Sequence, residues 1–253
     1  MAQDSWMLER VRQINRNDPA NSSMPKAILR FYQWSQPTLS LGFHQSTRSL
    51  PALSANMQLD WVRRPTGGRA VLHQAIGLQS DLTYSLAIAG TRGSRSCVYR
   101  SLCQFLLQGI AGLGIELDFG KAGRGYAGEA SCFRTATSAD LCWQGRKVIG
   151  SAQLWRGSAV LQHGTILLQP DRATWDAILP NSSQAIVGLN EIGSRSITVP
   201  NLISSLTAAV RTSLDFHWQD KSLDPGDREA IEQSSSCISS AHTEPPVPES
   251  ATS

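Results

Sequence analysis

Residues 145–168 read GRKVIGSAQLWRGSAVLQHGTILL, and this stretch decides the fold. Within it, residues 147–155 and 160–168 are rich in apolar and β-forming side chains, which predicts two strands. The turn pair Gln144-Gly145 separates the first of them from another apolar segment, 138–143, for which a third strand is predicted. The stretch therefore predicts a hairpin and a following strand inside a strand-rich core.

The flanking segments extend this core and add a few helices. Alternating or apolar β-forming segments predict strands over residues 27–34, 38–43, 58–64, 70–73 and 82–88. Apolar residues at helical spacing predict helices over residues 4–14, 94–113, 175–179 and 202–214. The remaining predictions are a loop over 15–25, a helical turn over 50–56 and a mobile glycine-rich loop over 120–128. We expect one domain over residues 1–233 and a disordered Ser-, Pro- and Glu-rich tail over 234–253.

The composition disfavours several classes of protein. The chain has 253 residues, enough to bury a core without disulfides, and its net charge of +3 gives no reason to expect a nucleic-acid partner. Its five cysteines show no paired spacing, which disfavours a disulfide framework and a zinc site. The sequence shows no signal peptide and no apolar run of membrane-spanning length. We therefore expect a cytoplasmic protein with no metal site and no membrane contact.

A glycine turn at residues 63–69 (RRPTGGR) is the first candidate for a binding site. Gly67 and Gly68 follow a predicted strand, and paired glycines let the backbone approach a ligand closely or adopt positive φ. The flanking arginines are able to hold an anion such as a phosphate. A plain surface turn with solvated arginines explains the same residues. The spacing fits neither a P-loop nor a dinucleotide-binding pattern.

Lys147 and the small residues that follow it form the second candidate. Lys147 opens an apolar strand, where a buried ammonium group would hold a carbonyl oxygen or activate a leaving group. Gly150, Ser151 and Ala152 leave room beside it for a chain-like ligand. A hairpin with an exposed lysine is the alternative.

Two single residues are further candidates. His163 lies in a predicted strand just before Gly164 and is a candidate site residue. The alternative is a core histidine whose ring nitrogens are hydrogen-bonded within the protein. Cys132 lies in Ser131-Cys132-Phe133, and a cysteine becomes a nucleophile where nearby cations stabilise its thiolate. A buried, inert cysteine is the alternative.

Taken together, these segments resemble the lipoate–protein ligase and octanoyltransferase superfamily, which shares its catalytic fold with biotin–protein ligases. The matching stretches follow the family's order along the chain: residues 30–45, 62–73, 82–85, 132–140 and 145–168. The resemblance implies an α+β fold with a mixed β-sheet core flanked by helices. It also implies transfer of an octanoyl or lipoyl group to a lysine of a lipoyl carrier domain.

The resemblance implies roles for individual residues. Lys147 is the lysine expected to contact the acyl carbonyl or its activated phosphate, and Cys132 resembles a nucleophile that carries the acyl group as a thioester. The residues expected to bind substrate are Arg64, Thr66, Gly67, Gly68, Arg69, His73, Gly150, Ser151, Ala152, His163 and Gly164. No metal is implied for this route.

The superfamily has branches that differ in the source of the acyl group. Cys132, together with GGRAVLH at 67–73 and LTYS at 82–85, favours the cysteine-dependent octanoyltransferases, for which no cofactor is expected. Acyl carrier protein is then the donor, and a lipoyl domain or the glycine-cleavage H protein is the acceptor. The alternative is an ATP- and Mg²⁺-dependent lipoate–protein ligase, although little chain follows Leu214 for the extra domain of bacterial ligases. A non-catalytic protein that binds acyl groups or carrier domains is the more remote alternative.

Two features depart from the family's pattern. Members have a strand before the first helix, whereas residues 1–4 match the interior of that helix. The insert at 74–80 lengthens the loop after His73, at the expected entrance of the pocket.

Overall fold

The computed structural model describes residues 1–17, 27–46, 59–75, 77, 81–120 and 140–240. The helices are α1 (Ala2–Asn17), α2 (Arg95–Leu102), α3 (Gln104–Ala111), α4 (Arg172–Ile178), α5 (Leu189–Ile192), α6 (Val199–Ser213) and α7 (Pro225–Ser240). The strands are β1 (Ala27–Tyr32), β2 (Thr38–Leu41), β3 (Asp60–Arg63), β4 (Val71–His73), β5 (Asp81–Ile88), β6 (Asp118–Phe119), β7 (Asp140–Trp143), β8 (Arg146–Arg156) and β9 (Ala159–Leu167). The helical turn expected over 50–56, residues 121–128 of the expected mobile loop and Cys132 all lie outside the described residues.

Two sheets form the centre of the molecule. The larger has the strand order β1-β5-β9-β8-β7-β6, and every neighbouring pair in it is antiparallel. The smaller has the order β3-β2-β4, in which β2 pairs with β3 in parallel and with β4 antiparallel. The predicted α+β fold is confirmed, and the parallel pairing of the expected mixed sheet belongs to the small sheet.

The predicted hairpin joins β7 to β8. Gln144 has φ 48° and Gly145 has φ 80°, the two positive values that a two-residue hairpin turn requires to match the twist of its strands. β8 then runs antiparallel to β9 along its length, with Ile149 opposite Ile166 and Arg156 opposite Ala159. These three strands form one side of the cavity described below.

The two faces of the large sheet bury different partners. One face packs against α2, α3 and α6 and contributes Tyr84 and Ile166 to the main core. The other face receives α1, whose Met7 and Val11 pack against Leu161. Because successive strand side chains alternate between faces, the polar residues between these apolar ones point toward α1 and the small sheet.

The helix predicted over 94–113 is two helices in the structure. Cys103, with φ −80° and ψ −10°, ends α2 and begins α3. Leu102, Phe105 and Leu106 nevertheless enter the same core. A short interruption of this kind leaves the apolar spacing nearly helical, so the sequence pattern does not show it.

The C-terminal part of the described chain differs from its prediction. Residues 234–240 continue α7, whereas sequence analysis expected disorder from residue 234. The Asp224 carboxylate accepts a hydrogen bond from the Asp227 amide at 2.8 Å, an N-terminal cap that starts the helix, and α7 packs against α1. None of the helices within the described ranges has the length and apolarity needed to cross a membrane.

Candidate functional site

A cavity of about 300 Å³ lies between the two sheets, on the side of the large sheet that faces the small one. Most of the predicted site residues line it: Arg64, Gly67, Gly68, His73, Lys147, Gly150, Ser151, Ala152, His163 and Gly164. Thr66 and Arg69 do not line it, so their contact with substrate stays a prediction. Cys132 lies outside the described residues, and its role stays a prediction as well.

Lys147 forms a buried ion pair with Asp140 inside this cavity. Its Nζ lies 2.7 Å from Asp140 Oδ1, and both side chains are at least 96% buried, with exposures of 4% and 3%. A β-bulge between Leu141 and Cys142 shifts the register of β7, so that Asp140 pairs with Gly150 rather than with Ile149. The pair supplies a fixed ammonium group at the cavity wall, since the carboxylate compensates the cost of burying the charge.

The main-chain carbonyl of Lys147 is also fixed. It accepts a hydrogen bond of 3.0 Å from the Val187 amide, and Lys147 forms an isolated bridge with Ile186. The lysine backbone is therefore held from both sides, by β7 and by the segment before α5. The exposed lysine that the sequence left open as an alternative is excluded.

Arg64 organises the glycine turn from within. Its guanidinium donates to the carbonyl oxygens of Ser40 (2.8 Å), Gly67 (3.0 and 3.2 Å) and Arg69 (2.6 Å), and to Ser40 Oγ (3.3 Å). A guanidinium has five N–H donors, and these contacts engage all of them. These contacts shape the turn from within, and the Arg64 side chain also lines the cavity.

Gly42 lets the end of β2 approach this turn. The Phe43 amide donates a hydrogen bond of 2.9 Å to the Thr66 carbonyl oxygen. The two segments lie so close that a Cβ atom at Gly42 would collide with the Gly68 carbonyl oxygen. Gly68 itself has φ 99°, a conformation that favours glycine. The turn is therefore shaped by backbone contacts that tolerate no side chain at residue 42.

Gly42→Ala should lower the free energy of unfolding by about 3 kcal/mol, the upper end of the overpacking range, because the clash is with backbone. Gly67→Ala is the matched control: its Cβ would meet nothing within 4 Å, so we expect a change within about 1 kcal/mol. Urea denaturation measures both. Equal stability of the two variants would contradict the close approach at Gly42.

His73 joins the small sheet to the large one. Its Nδ1 lies 3.2 Å from Asp81 Oδ2, its Nε2 lies 3.0 Å from Ser40 Oγ, and its ring stacks on Trp34 with centroids 4.4 Å apart. Burial lowers the pKa of His73, although the Asp81 carboxylate opposes this. The ring is therefore uncharged at neutral pH. Its hydrogen bonds connect the small sheet to the large sheet at the cavity wall.

The lowered pKa of His73 predicts a pH dependence of stability. When pH falls below about 6.5, the unfolded chain binds a proton at residue 73 that the folded chain does not bind, so the free energy of unfolding decreases. In His73→Gln this decrease should be smaller. Urea denaturation between about pH 7.5 and 5.5 tests it, with the exposed His217→Gln as control. An equal decrease in wild type and His73→Gln would contradict the prediction.

His163 is held on both ring nitrogens. Nδ1 lies 2.9 Å from Asp4 Oδ2, and Nε2 lies 2.7 Å from the hydroxyl of Thr66 in the glycine turn. Burial opposes ionisation of Asp4, but its hydrogen bonds with His163 and Ser85 outweigh burial and lower the pKa of Asp4 to about 2. His163 is thus both a satisfied core histidine and a cavity residue, which joins the two alternatives that the sequence left open.

Small residues shape the part of the cavity beyond Lys147. Ser151 directs its hydroxyl to Tyr84, with the two oxygens 2.7 Å apart. A Cβ at Gly164 would lie 2.6 Å from Ser151 Oγ and 2.9 Å from Tyr84 Cε1, so a larger residue does not fit there. Ser151 and Gly164 therefore leave space at this wall and also permit a tight core behind it.

Three carboxylates of the site were missed by the sequence analysis: Asp4, Asp81 and Asp140. A buried lysine requires a nearby carboxylate, so Lys147 itself was a signal that an acid such as Asp140 lies on an adjacent strand. Asp4 gave no such signal, because it reaches His163 from a helix distant in sequence.

The sequence was compared with known proteins. It matches the model of the lipoyl protein ligase A/B catalytic domain over residues 1–211. The chain belongs to this family. The superfamily expected from the sequence motifs is thereby confirmed.

Relatives and a solved structure agree with the assignment to the lipoyl protein ligase A/B catalytic domain. An octanoyltransferase LipM from Carboxydothermus hydrogenoformans is 40% identical over 150 residues, which span 57% of this chain and 54% of the relative. An octanoyltransferase LipM from Kyrpidia tusciae is 30% identical over 81% of this chain and 82% of its own length. Lipoate-protein ligase A, solved with ATP, is 18% identical and has the same fold, with a TM-score of 0.75 over 92% of this chain and 86% of the ligase.

Proposed function

We propose that this protein is the octanoyltransferase of a protein lipoylation system. It transfers an octanoyl group from acyl carrier protein to a lysine of a lipoyl domain, through a thioester on Cys132. The observation that carries the proposal is the narrow cavity, which has a buried ammonium group, Lys147, and a row of small residues beside it. The names of the LipM relatives support the same reaction.

The dimensions of the cavity suit a single acyl chain. Its volume of about 300 Å³ is at the lower end of ligand pockets, which span about 300–1,000 Å³. Lys147 Nζ reaches Asp140, whose partner on β8 is Gly150, and Gly150 and Ala152 line the same cavity. An acyl carbonyl at the ammonium group therefore places its hydrocarbon chain beside these small residues, where each buried methylene contributes about 0.8 kcal/mol.

The transfer takes place in two steps. The Cys132 sulfur attacks the carbonyl carbon of the octanoyl thioester, a new C–S bond forms, and the carrier leaves as its thiol with the proton that Cys132 gives up. The neutral amine of the acceptor lysine then attacks the Cys132 thioester. An amide bond forms, and Cys132 leaves with the proton that the nitrogen loses. Covalent catalysis of this kind divides one difficult step into two easier ones.

Lys147 serves both steps without gaining or losing a proton. Negative charge develops on the carbonyl oxygen in each tetrahedral intermediate, and the fixed ammonium group stabilises it. Asp140 holds Nζ at 2.7 Å, so the ammonium group does not reorient when the charge appears. The scheme consumes no nucleotide, since the donor thioester is already activated.

The function is tested by two parallel reactions. In the first, the protein, octanoyl acyl carrier protein and a lipoyl domain are incubated without ATP, and intact-mass spectrometry of the domain should show one added octanoyl group. In the second, free lipoate, ATP and Mg²⁺ replace the acyl carrier protein, and no modification should appear. Modification only in the second reaction would make the protein a lipoate ligase. Modification in neither, with the glycine-cleavage H protein also tried as acceptor, would refute both.

A further inference from the structure

We propose that Asp4 is a positioning residue, which fixes the tautomer of His163 and thereby orients the Thr66 hydroxyl in the glycine turn of the acyl site. The proposal rests on the proposed function for its catalytic consequence, but its structural core does not depend on it. Nothing in the family resemblance or the relatives' names assigns a role to Asp4.

The three side chains form one buried chain of hydrogen bonds. Asp4 Oδ2 lies 2.9 Å from His163 Nδ1, and His163 Nε2 lies 2.7 Å from Thr66 Oγ1. Asp4 is fully buried, and Thr66 is 1% exposed. Three separate parts of the fold meet here: α1, the central strand β9 and the glycine turn.

The direction of each hydrogen bond follows from the groups around Asp4. Oδ1 accepts from Ser85 Oγ at 2.8 Å and from the Arg30 guanidinium at 3.4 Å. Oδ2 accepts from the Tyr32 hydroxyl at 3.4 Å and faces His163 Nδ1. An ionised carboxylate has only acceptors, so Nδ1 carries the proton. When the imidazole is uncharged, Nε2 is an acceptor, and the Thr66 hydroxyl donates to it.

Thr66 transmits this arrangement to the cavity. Within the described part of the chain, its hydroxyl has one hydrogen-bond partner, His163. Thr66 precedes Gly67 and Gly68, which line the cavity, and its carbonyl accepts from the Phe43 amide. A displaced Thr66 therefore displaces the wall against which the reacting carbonyl must be aligned, and alignment within a fraction of an ångström matters for rate.

Asp4→Asn tests the tautomer directly. Ser85 and Arg30 both donate to the Oδ1 position, so the amide oxygen stays there and the NH₂ group faces His163 Nδ1. Nδ1 must then accept, the ring proton moves to Nε2, and Nε2 donates to Thr66. In Ser-His-Asp triads the same substitution preserves the geometry and reverses the tautomer. Nitrogen-15 NMR of labelled histidines should show His163 protonated at Nδ1 in wild type and at Nε2 in Asp4→Asn.

Activity and turn geometry provide the second readout. We expect kcat for octanoyl transfer to fall by about 10–100-fold in Asp4→Asn, with KM for the donor changed by less than about threefold. Thr66→Val should reproduce this loss, and Thr66→Ser, which keeps the hydroxyl, should restore most of the rate. Glu9→Gln is the control, since it removes a half-exposed carboxylate of the same helix whose partner is Arg12. The amide resonances of Gly67 and Gly68 should shift in Asp4→Asn and not in Glu9→Gln.

Each outcome decides the proposal. A reversed tautomer with shifted glycine amides and lowered kcat supports it. An unchanged tautomer in Asp4→Asn overturns it, and so does a reversed tautomer with wild-type kcat. A lower melting temperature with no change in tautomer or kcat also overturns it. If the wild-type protein attaches free lipoate in an ATP-dependent reaction and does not transfer octanoyl groups, the proposed function has failed. The kcat of the ligase reaction is then the rate that is compared between wild type and Asp4→Asn. If wild type catalyses neither reaction, unshifted glycine amides overturn the proposal and shifted ones support it.

Discussion

Lys147→Ala is expected to lower the rate of octanoyl transfer by about 10²–10³-fold, the typical loss when one fixed donor to a developing oxyanion is removed. Lys147 is the one lysine of the described cavity lining, and its ammonium group is held 2.7 Å from Asp140. Lys147→Arg should be nearly as slow, since a planar, forked guanidinium does not replace a compact ammonium group. The measurement is single-turnover transfer to a lipoyl domain, made on protein whose folding has been verified by circular dichroism.

Removing Lys147 has a second effect that must be separated from catalysis. The carboxylate of Asp140 is left buried without its cation, which typically costs about 3–5 kcal/mol of stability. The double variant Lys147→Met/Asp140→Asn removes both charges and should recover much of that stability. It should remain as inactive as Lys147→Ala. Recovery of transfer in the double variant, or a wild-type rate in folded Lys147→Ala, would contradict the role of the ammonium group.

The fold could be predicted from the sequence where local pattern is sufficient. The β7–β8 hairpin followed from Gln144-Gly145 between two apolar segments, because a two-residue turn with positive φ fixes the register of its strands. The strands from β1 to β5 followed from apolar alternation and turn residues. The break at Cys103 and the continuation of α7 through Ser240 did not, since the spacing of apolar residues shows neither.

Only part of the site could be predicted, because some of its contacts form between residues that are distant in the sequence. Lys147 and the small residues after it were candidates because Lys147 opens an apolar strand, and the family resemblance then favoured them over an exposed lysine. Its partner Asp140 was not, since a β-bulge shifts the register between the two strands by one residue. Asp4 was not identified because a contact between residues 4 and 163 exists only in the folded chain.

Arg64 has a structural role that the sequence did not indicate. The sequence left two roles open for the arginines of this turn, anion binding and simple solvation in a surface turn. In the structure its donors go to the carbonyls of Ser40, Gly67 and Arg69. The buried guanidinium therefore holds the turn in shape at the cavity wall, and contact between Arg64 and substrate stays a prediction.

The structure describes the side chains of three cysteines, Cys97, Cys103 and Cys142, and none of them suits the role of nucleophile. Burial raises the pKa of Cys103 and of Cys142 to about 11, so both remain thiols at neutral pH. Cys97 is exposed on α2 and is not part of the cavity lining. Cys132 precedes β7 in the sequence, and it stays the proposed nucleophile because of its resemblance to the cysteine-dependent branch.

Cys132→Ala is therefore expected to abolish octanoyl transfer, the largest loss predicted for a single substitution, because the thioester intermediate cannot form without the thiol. Wild-type protein incubated with octanoyl acyl carrier protein should gain the mass of one octanoyl group, and neutral hydroxylamine should remove it. Cys132→Ala should gain no mass, whereas Cys142→Ala, which removes a thiol with a raised pKa, should behave as wild type. Peptide mapping should place the octanoyl group on Cys132. An acylated Cys132→Ala protein, or one that still modifies a lipoyl domain without ATP, would show that another residue carries the acyl group.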